Sequence, residues 1–247
     1  MTTLPDDAPA RYGDLRAVYI NCTLKPSPQP SHTQTLMDRS IAILERVGVE
    51  VDVIRAVDHV LAPGVQVDMT EGGAFERDDW PGLLQRVLAA DMLVVGTPIW
   101  LGNPSSVCAQ VIERLYAYSG ELNDRGQFDF YGRVGGALIT GNEDGVKHCA
   151  MYLLFALQHL GYVIPPQVDA GWIGPVGPGP SYGDDPQEEG DVPVGLDSDF
   201  TNRNTTIMTW NLLHLARLLK DNGGIPAFGN QPPRWAEGER FGYPPPN

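Results

Sequence analysis

Short apolar runs alternate with amphipathic stretches over most of the chain, and this alternation gives the first indication of the fold. The apolar runs are rich in β-branched residues, which strands favour. Five of them are predicted strands: residues 16–24, 50–57, 91–99, 133–140 and 162–170. The third run holds the consecutive apolar residues Met92 to Val95, which is typical of a strand covered on both faces.

The stretches between these runs carry apolar residues three or four positions apart, which predicts helices. The predicted helices cover residues 33–47, 80–90, 145–160 and about 204–220, with a further helix opened by Asn103 and Pro104. Asn103 is the predicted N-cap of that helix, and Pro104 its first helical residue. Strictly alternating strands and helices predict an α/β fold with a parallel sheet, right-handed crossovers and helices on both faces.

Two segments interrupt the alternation. Residues 171–199 are crowded with Gly, Pro and acidic residues and are long for a structureless loop, which favours a functional lid or a mobile segment. Trp172 and Tyr182 are candidates for lining or closing a pocket there, and the alternative is that both are incidental. The tail after Gly223 carries several aromatic residues among prolines, which favours docking on a neighbour or on its own body.

The predicted organisation therefore has three parts. Residues 1–14 are an N-terminal extension, residues 15–222 form one domain with an insertion at about 171–200, and residues 223–247 are the tail. The 31 acidic residues outnumber the 17 basic ones and give a net charge of −14, which argues against nucleic acid or an anionic membrane as partner. Three scattered cysteines, no leader-like N-terminus and no long apolar run predict a cytoplasmic protein.

Candidate chemistry follows the strands, because ligands of open α/β sheets bind beyond the carboxyl ends of the strands. After the first strand, CTLKPSPQPSHTQTL (residues 22–36) offers hydroxyls at the start of a helix, where a phosphate is favoured, and Lys25 and His32 add donors. The loop matches neither of the two common glycine-rich nucleotide motifs. The alternative is an ordinary polar loop with an N-cap.

After the third strand, VVGTPIWLGNPSS (residues 94–106) presents Trp100 on a backbone constrained by Pro98 and Gly102, which would suit a flat aromatic ligand. The alternative is that Trp100 packs under a helix. After the fourth strand, ITGNEDGVKH (residues 139–148) reads as a turn into a helix or simply a cap. Together the three loops have the pattern of a mononucleotide site.

Residues 15–170 resemble the flavodoxin-like NAD(P)H-dependent oxidoreductases, the FMN reductase and quinone reductase group. The resemblance is carried by the Ser/Thr-rich loop at 23–33, by the G-[ST]-P-[IV]-[YW]-x-G-x-x-[SP] pattern at 96–105, and by the Gly-containing loop at 140–145. The loop after the first strand is longer and richer in proline than is usual in the family. The chain also lacks the cysteine cluster of the iron–sulfur branch.

This resemblance implies a flavodoxin-like five-stranded sheet of order 2-1-3-4-5, with FMN as cofactor and NADPH or NADH as co-substrate. Hydride would pass through the flavin to a small acceptor such as a quinone or a flavin, with no catalytic side chain, no metal, and a homodimer or homotetramer as the assembly. The implied FMN contacts are Thr23, Lys25, Ser31, His32 and Thr33 for the phosphate, Pro98, Ile99, Trp100, Leu101, Gly102 and Asn103 for the isoalloxazine, and Thr140, Asn142, Glu143 and Gly145 for the pyrimidine edge.

Two other functions remain open on the sequence. A flavodoxin-type electron carrier would bind FMN without turning over a substrate, and the acidic surface would suit a basic redox partner. The second function is that of an interaction protein, which would share the fold but would have lost the flavin. The histidines have no spacing typical of a metal site.

Overall fold

A computed structural model describes residues 11–177, 179–185 and 192–245. Most of the predicted N-terminal extension, part of the predicted insertion and the last two residues lie outside the described residues. No helix within the described ranges combines the length and the apolar character that crossing a bilayer requires.

Five parallel strands form the sheet, and a short sixth strand is attached to it. The strands are β1 (Arg16–Asn21), β2 (Glu50–Arg55), β3 (Met92–Trp100), β4 (Asn103–Pro104), β5 (Val134–Gly141) and β6 (Asp169–Ile173). The sheet has the order β2-β1-β3-β5-β6, and β4 pairs antiparallel with the end of β3. Counting the parallel strands alone, this is the predicted flavodoxin-like order 2-1-3-4-5, which is confirmed.

Helices cover both faces of the sheet. They are α1 (His32–Arg46), α2 (Trp80–Leu88), α3 (Ser106–Tyr116), α4 (Val146–Leu160), α5 (Asp199–Asp221) and the short α6 (Pro232–Ala236). Side chains of α1 and α5 share one buried cluster, and side chains of α2, α3 and α4 share the other. Successive residues of β3 alternate between the two clusters: Leu93 and Val95 face one, Met92 and Val94 the other. The prediction of a strand covered on both faces is confirmed.

The last parallel strand lies further along the chain than predicted. Residues 162–170 were expected to form it, whereas β6 covers Asp169–Ile173. Pro165 and Pro166 have no N–H to donate to a ladder, and Gln167 has a φ of 50°, so an extended ladder cannot run through them. Within the predicted range, Val163 makes an isolated bridge to Val134 before the chain breaks away. As a result Trp172 lies on the strand rather than in a loop.

The prediction that Asn103 caps α3 is wrong. Asn103 pairs with Trp100 across a tight hairpin, and Pro104 pairs with Ile99. Ser105 is the N-cap instead, because its hydroxyl accepts the Cys108 N–H at 3.1 Å. The last long helix also begins earlier than predicted, at Asp199, where the Ser198 hydroxyl caps it.

The described part of the tail lies against the loop before β5. The guanidinium of Arg125 donates to the carbonyls of Gly223 and Ile225, at 2.9 and 2.6 Å. The Gln127 amide donates to Asn230 Oδ1 at 2.9 Å. The tail is thus docked on its own body, at the edge of the sheet opposite the candidate chemistry, while Phe228 stays 73% exposed.

Candidate functional site

A cavity of about 470 Å³ lies at the carboxyl ends of β1, β3 and β5. This is the edge where ligands of open α/β sheets bind. All three loops that the sequence singled out contribute to it, and a fourth segment closes it. The lining residues are Thr23, Leu24, Lys25, His32, Thr33, Pro98, Ile99, Trp100, Thr140, Gly141, Asn142, Glu143, Val176, Gly177, Ser181 and Tyr182.

One end of the cavity is the start of α1. The Ser31 hydroxyl caps this helix by accepting the Gln34 N–H at 3.2 Å, and it is itself held by the Asn21 amide at 3.3 Å. The earlier N–H groups of a first helical turn have no partner within the helix, and with Lys25 nearby they make this end electropositive. This end therefore has the chemistry of a phosphate site.

The floor of the cavity is a pair of buried hydroxyls. Thr33 on α1 and Thr140 on β5 lie 2.8 Å apart at their Oγ1 atoms, and both residues are buried. This bond joins the helix that would carry a phosphate to the strand that leads into the third loop. It fixes the relative position of the two ends of the site.

The opposite side is a hairpin that we call the shelf, residues 98–105. Its two turn residues, Leu101 and Gly102, have φ values of 49° and 74°, as a type I′ turn between twisted strands requires. Leu101 is 87% exposed and Trp100 55% exposed, so the turn presents apolar surface at the mouth of the cavity. A leucine at positive φ is strained, and such strain is common at functional sites.

The shelf is tied to the loop after β5. The Glu143 carboxylate accepts the Leu101 N–H at 2.7 Å, and the Asn103 amide oxygen lies 3.1 Å from His148 Nε2. Gly145 has a φ of 144°, and a Cβ there would lie 2.8 Å from the Gly102 oxygen. The backbones of the two loops therefore touch at a point that only glycine allows.

The fourth side is a segment we call the wall, residues 174–177 and 179–184. Asn142 holds it through three hydrogen bonds: its Nδ2 donates to the oxygens of Pro175 and Pro180 at 3.3 and 3.1 Å, and its Oδ1 accepts from the Ser181 hydroxyl at 3.0 Å. The Asn142 side chain was predicted to contact the pyrimidine edge of the flavin. Its amide group instead forms hydrogen bonds with the wall.

The wall is also bound to the start of α1. The Gly183 N–H donates to His32 Nδ1 at 3.1 Å, and His32 Nε2 lies 3.4 Å from an Asp184 carboxylate oxygen. The pKa of His32 is lowered, mainly by burial. The carboxylate of Asp184 acts to raise it, and the charge of Lys25 acts to lower it. His32, predicted as a phosphate ligand, therefore has both ring nitrogens directed at the wall.

Aromatic packing anchors the wall from below. The rings of Trp172 and Tyr182 meet edge to face with their centroids 5.8 Å apart, and both residues are buried. Gly195 lies against the Tyr182 backbone, where a Cβ would come within 2.4 Å. Of the two outcomes the sequence left open for these aromatics, the structure shows Tyr182 lining the cavity and Trp172 supporting it.

Ten of the predicted FMN contacts line the cavity: Thr23, Lys25, His32, Thr33, Pro98, Ile99, Trp100, Thr140, Asn142 and Glu143. The structure places the others around it as supports: Ser31 caps α1, Leu101, Gly102 and Asn103 form the hairpin, and Gly145 begins α4. Sequence reasoning missed Leu24, Gly141, Val176, Gly177 and Ser181 as lining residues. The glycine and proline content of 171–183 was the available signal for the last three.

Among the described residues, no group of three or more His, Cys, Asp or Glu side chains is arranged to hold a metal ion. The titratable side chains that line the cavity are Lys25, His32, Glu143 and Tyr182. Burial raises the pKa of Tyr182, so this phenol stays protonated at neutral pH.

Comparison with known families decides the assignment of this site. The family model of the NADPH-dependent FMN reductases matches residues 15–172, which contain β1 to β5, all but the last residue of β6, and all three predicted loops. The chain belongs to the NADPH-dependent FMN reductase family. The predicted resemblance to this family is confirmed, and with it FMN as the cofactor.

Two curated relatives extend the comparison. The 8-demethyl-8-aminoriboflavin-5′-phosphate synthase of Streptomyces davaonensis is 37% identical over 212 residues, which are 84% of this chain and 79% of the relative. A Mycobacterium bovis protein named divalent metal cation transporter MntH is 58% identical over 223 residues, which are 89% of this chain and 32% of that protein. The chain therefore spans about a third of the length of the second relative.

A solved structure agrees with the overall architecture. The crystal structure of RosB with a bound intermediate, 8-demethyl-8-formylriboflavin-5′-phosphate, superposes with a TM-score of 0.77 at 35% identity. The superposition covers 94% of this chain and 91% of RosB. The NADH:FMN oxidoreductase EMOB has a TM-score of 0.52 at 15% identity and supports the fold alone.

The residues of the cavity fit FMN. The start of α1 with Lys25 offers positive charge for a phosphate, and the shelf offers an apolar edge for a planar ring. Gly141 and Gly145 let the third loop pack directly against β3 and the shelf, because a Cβ at Gly141 would meet Ile99 at 2.8 Å and one at Gly145 would meet the Gly102 oxygen at 2.8 Å. FMN, the cofactor of this family, is the group that this donor set suits.

Proposed function

We propose that the chain transfers hydride from NADPH or NADH, by way of bound FMN, to a small acceptor such as a quinone or a free flavin. The observation that carries this proposal is the form of the cavity. The electropositive start of α1 and the apolar shelf both line it, and Trp100 on the shelf is 55% exposed. When bound, the flavin supplies the hydride chemistry, and the protein supplies binding and orientation.

The roles of the chain's own residues follow from their positions. The start of α1 and Lys25 would hold the phosphate, and the Thr33–Thr140 pair would fix the distance from there to the third loop. Glu143, by accepting the Leu101 N–H, keeps the shelf in place, and it also lines the cavity. No side chain has to donate or accept a proton for hydride transfer itself.

The acceptor would enter at the mouth. Trp100 and Leu101 offer apolar surface there. An uncharged planar molecule that stacks beside the shelf is therefore the acceptor class we propose.

A second candidate is chemistry on the flavin itself. The Streptomyces relative is named as an aminoriboflavin phosphate synthase, and the RosB structure holds a modified riboflavin phosphate. Both similarities extend beyond the family match into the wall and α5, since they cover 84% and 94% of the chain. Riboflavin 5′-phosphate would then be a substrate held in the same cavity.

We further propose that the protein is a cytoplasmic homodimer. Three free and buried cysteines are consistent with a reducing compartment. An apolar groove between α3 and α4 supports the dimer: it is lined by Ile112, Glu113, Tyr116, Tyr152, Phe155, Ala156, His159 and Leu160. Phe155 and the neighbouring Met151 are 69% and 68% exposed, and contiguous exposed apolar surface of this kind marks interaction sites.

The dimer proposal predicts that Phe155→Glu gives monomers in sedimentation. Phe200→Glu is the matched control, because Phe200 on α5 is 63% exposed and lies outside this groove. A wild-type protein that sediments as a monomer, or a Phe155→Glu variant that stays dimeric, would refute the assignment of this face.

Anaerobic mixing of the FMN-loaded protein with NADPH or NADH tests the proposed function. Hydride transfer predicts bleaching of the flavin absorbance, followed by recovery when a quinone is added. An electron carrier would not be bleached by either nicotinamide. Flavin modification would appear as a changed mass of the flavin released on denaturation. Bleaching and recovery with unchanged flavin mass is the result we expect.

A further inference from the structure

Besides the buried packing of Tyr182 on Trp172, two polar anchors of different chemistry hold the wall over the cavity. The Asn142 amide makes three hydrogen bonds to it and does not titrate. The His32 imidazole accepts the Gly183 N–H, and imidazole changes charge within the physiological range. One side of the wall is therefore fixed at every pH, and the other depends on the protonation state of a single ring.

The geometry at His32 defines that state. Nδ1 lies 3.1 Å from the Gly183 nitrogen, which is a donor, so Nδ1 must be unprotonated to accept. The remaining proton is then on Nε2, which lies 3.4 Å from an Asp184 oxygen. In the protonated ring both nitrogens carry hydrogen, and the Gly183 N–H loses its acceptor.

Two charged groups face this ring. Asp184 comes from the wall and Lys25 from the loop after β1, and they act in opposite directions. Burial is the largest influence and lowers the pKa of His32. The charge of Lys25 lowers it further, and the carboxylate of Asp184 raises it. The Asp184 side chain is 46% exposed, so solvent screens its attraction for the charged ring. The neutral ring is accordingly the form present in this structure at neutral pH.

We propose that neutral His32 is a positioning residue that latches the wall to the start of α1, and that its protonation releases the wall and weakens the hold on the flavin ring. This inference rests on the proposed function, because it places the flavin in this cavity. His32 is then not a ligand of the phosphate, although the sequence pattern suggested that role.

Riboflavin is the probe that isolates the latch. The FMN phosphate would attract a protonated His32 and itself titrates near pH 6, so its binding mixes opposing effects. Riboflavin has no phosphate. Its affinity should fall as the pH drops below about 6.5, where a histidine of lowered pKa begins to take up its proton.

Two substitutions separate the latch from general packing. His32→Asn keeps an acceptor oxygen near the position of Nδ1 that does not titrate, and His32→Ala removes the acceptor. Titration by fluorescence quenching should show a threefold to tenfold weaker binding of riboflavin to the wild type at about pH 5.5 than at about pH 8. The Asn variant should change less than about twofold, and the Ala variant should bind weakly at both pH values.

Equal pH dependence in the wild type and His32→Asn would overturn the latch, because another group would then control binding. A wild type that binds neither FMN nor riboflavin at about pH 8 would instead refute the proposed function. The latch is then tested on the flavin-free protein by NMR of ¹⁵N-labelled histidine. The resonance missing in His32→Asn should show an unprotonated Nδ1 at neutral pH and a pKa below about 6.5. A protonated Nδ1 would overturn the latch.

Discussion

The shelf and the wall close the same cavity from two sides, yet they are built in different ways. The shelf is one continuous hairpin at the end of β3, and its turn is defined by adjacent residues. The wall is held by partners far away in the chain: Asn142 is 38 positions from Pro180, and His32 is 151 positions from Gly183. A local turn gives the shelf its shape, whereas contacts with distant residues place the wall.

The shelf and the wall also differ in how firmly each is attached to the sheet. The shelf depends on the sheet, since Ser105 joins it to Thr97 and to the Cys22 carbonyl, at 3.1 and 2.6 Å. It should persist as long as the domain is folded. Apart from the buried Tyr182 ring, the wall is held by a few polar contacts above the sheet, so breaking these contacts can loosen it without unfolding the domain. The two sides should therefore respond differently to mutation.

The largest effect is expected where the shelf meets the third loop. Gly145→Ala places a Cβ 2.8 Å from the Gly102 oxygen and 2.9 Å from its Cα, at a φ of 144° that disfavours any side chain. We expect the free energy of unfolding to fall by about 3 kcal/mol, together with loss of FMN retention. Urea unfolding of the apoprotein measures the first, and desalting after loading measures the second.

Gly72→Ala is the matched control for this substitution. Gly72 also has a positive φ, 83°, but no atom lies within 4 Å of its added Cβ. It should cost about 1 kcal/mol, from backbone strain alone. If the two alanine variants unfold within experimental error of each other, the close contact between shelf and loop does not govern stability.

A smaller and more selective effect is expected at the wall. Asn142→Ala removes three hydrogen bonds, which together contribute about 2 kcal/mol. FMN should dissociate faster, and proteolysis should cut within the wall while the sheet stays intact. Asn211→Ala is the control, because Asn211 donates once, to the Pro166 oxygen at 2.8 Å, away from the cavity. Equal FMN dissociation rates in both variants would contradict the role of the wall.

The smallest effect is expected at the turn of the shelf. Leu101 adopts a φ of 49°, and the position before Gly102 in a type I′ turn prefers asparagine. Leu101→Asn should raise the free energy of unfolding by about 0.5 kcal/mol by relieving backbone strain. The proposed contact of Leu101 with an apolar acceptor predicts that Leu101→Asn lowers the turnover of that acceptor. A lower stability in thermal unfolding would show that Leu101 is not strained.

The same contrast explains what the sequence could predict. The parallel sheet and a β3 buried on both faces followed from alternating apolar runs, because burial on both faces leaves a strong local signal at residues such as Val94 and Val95. The order of the strands came from the family resemblance. The three loops were found because they follow strands. Thr33 and Thr140 were both predicted, although their direct hydrogen bond was not.

The features that sequence patterns missed depend on tertiary contacts. Nothing adjacent to Asn142 or His32 indicates that their side chains bind the wall rather than the cofactor. The apolar run at 162–170 predicts a strand that starts too early, because the Pro165–Pro166 pair delays β6 until Asp169. The Asn103–Pro104 pair is typical of a helix start and so predicts a cap, whereas the type I′ turn pairs Asn103 with Trp100.

A crystal structure of the protein with FMN would test the central claim most directly. The account predicts the phosphate within hydrogen-bonding distance of the first N–H groups of α1, with the ring system between the shelf and the wall. His32 should keep its contact with Gly183 and make none with the phosphate. FMN bound outside this cavity, or with its phosphate at the shelf, would contradict the account.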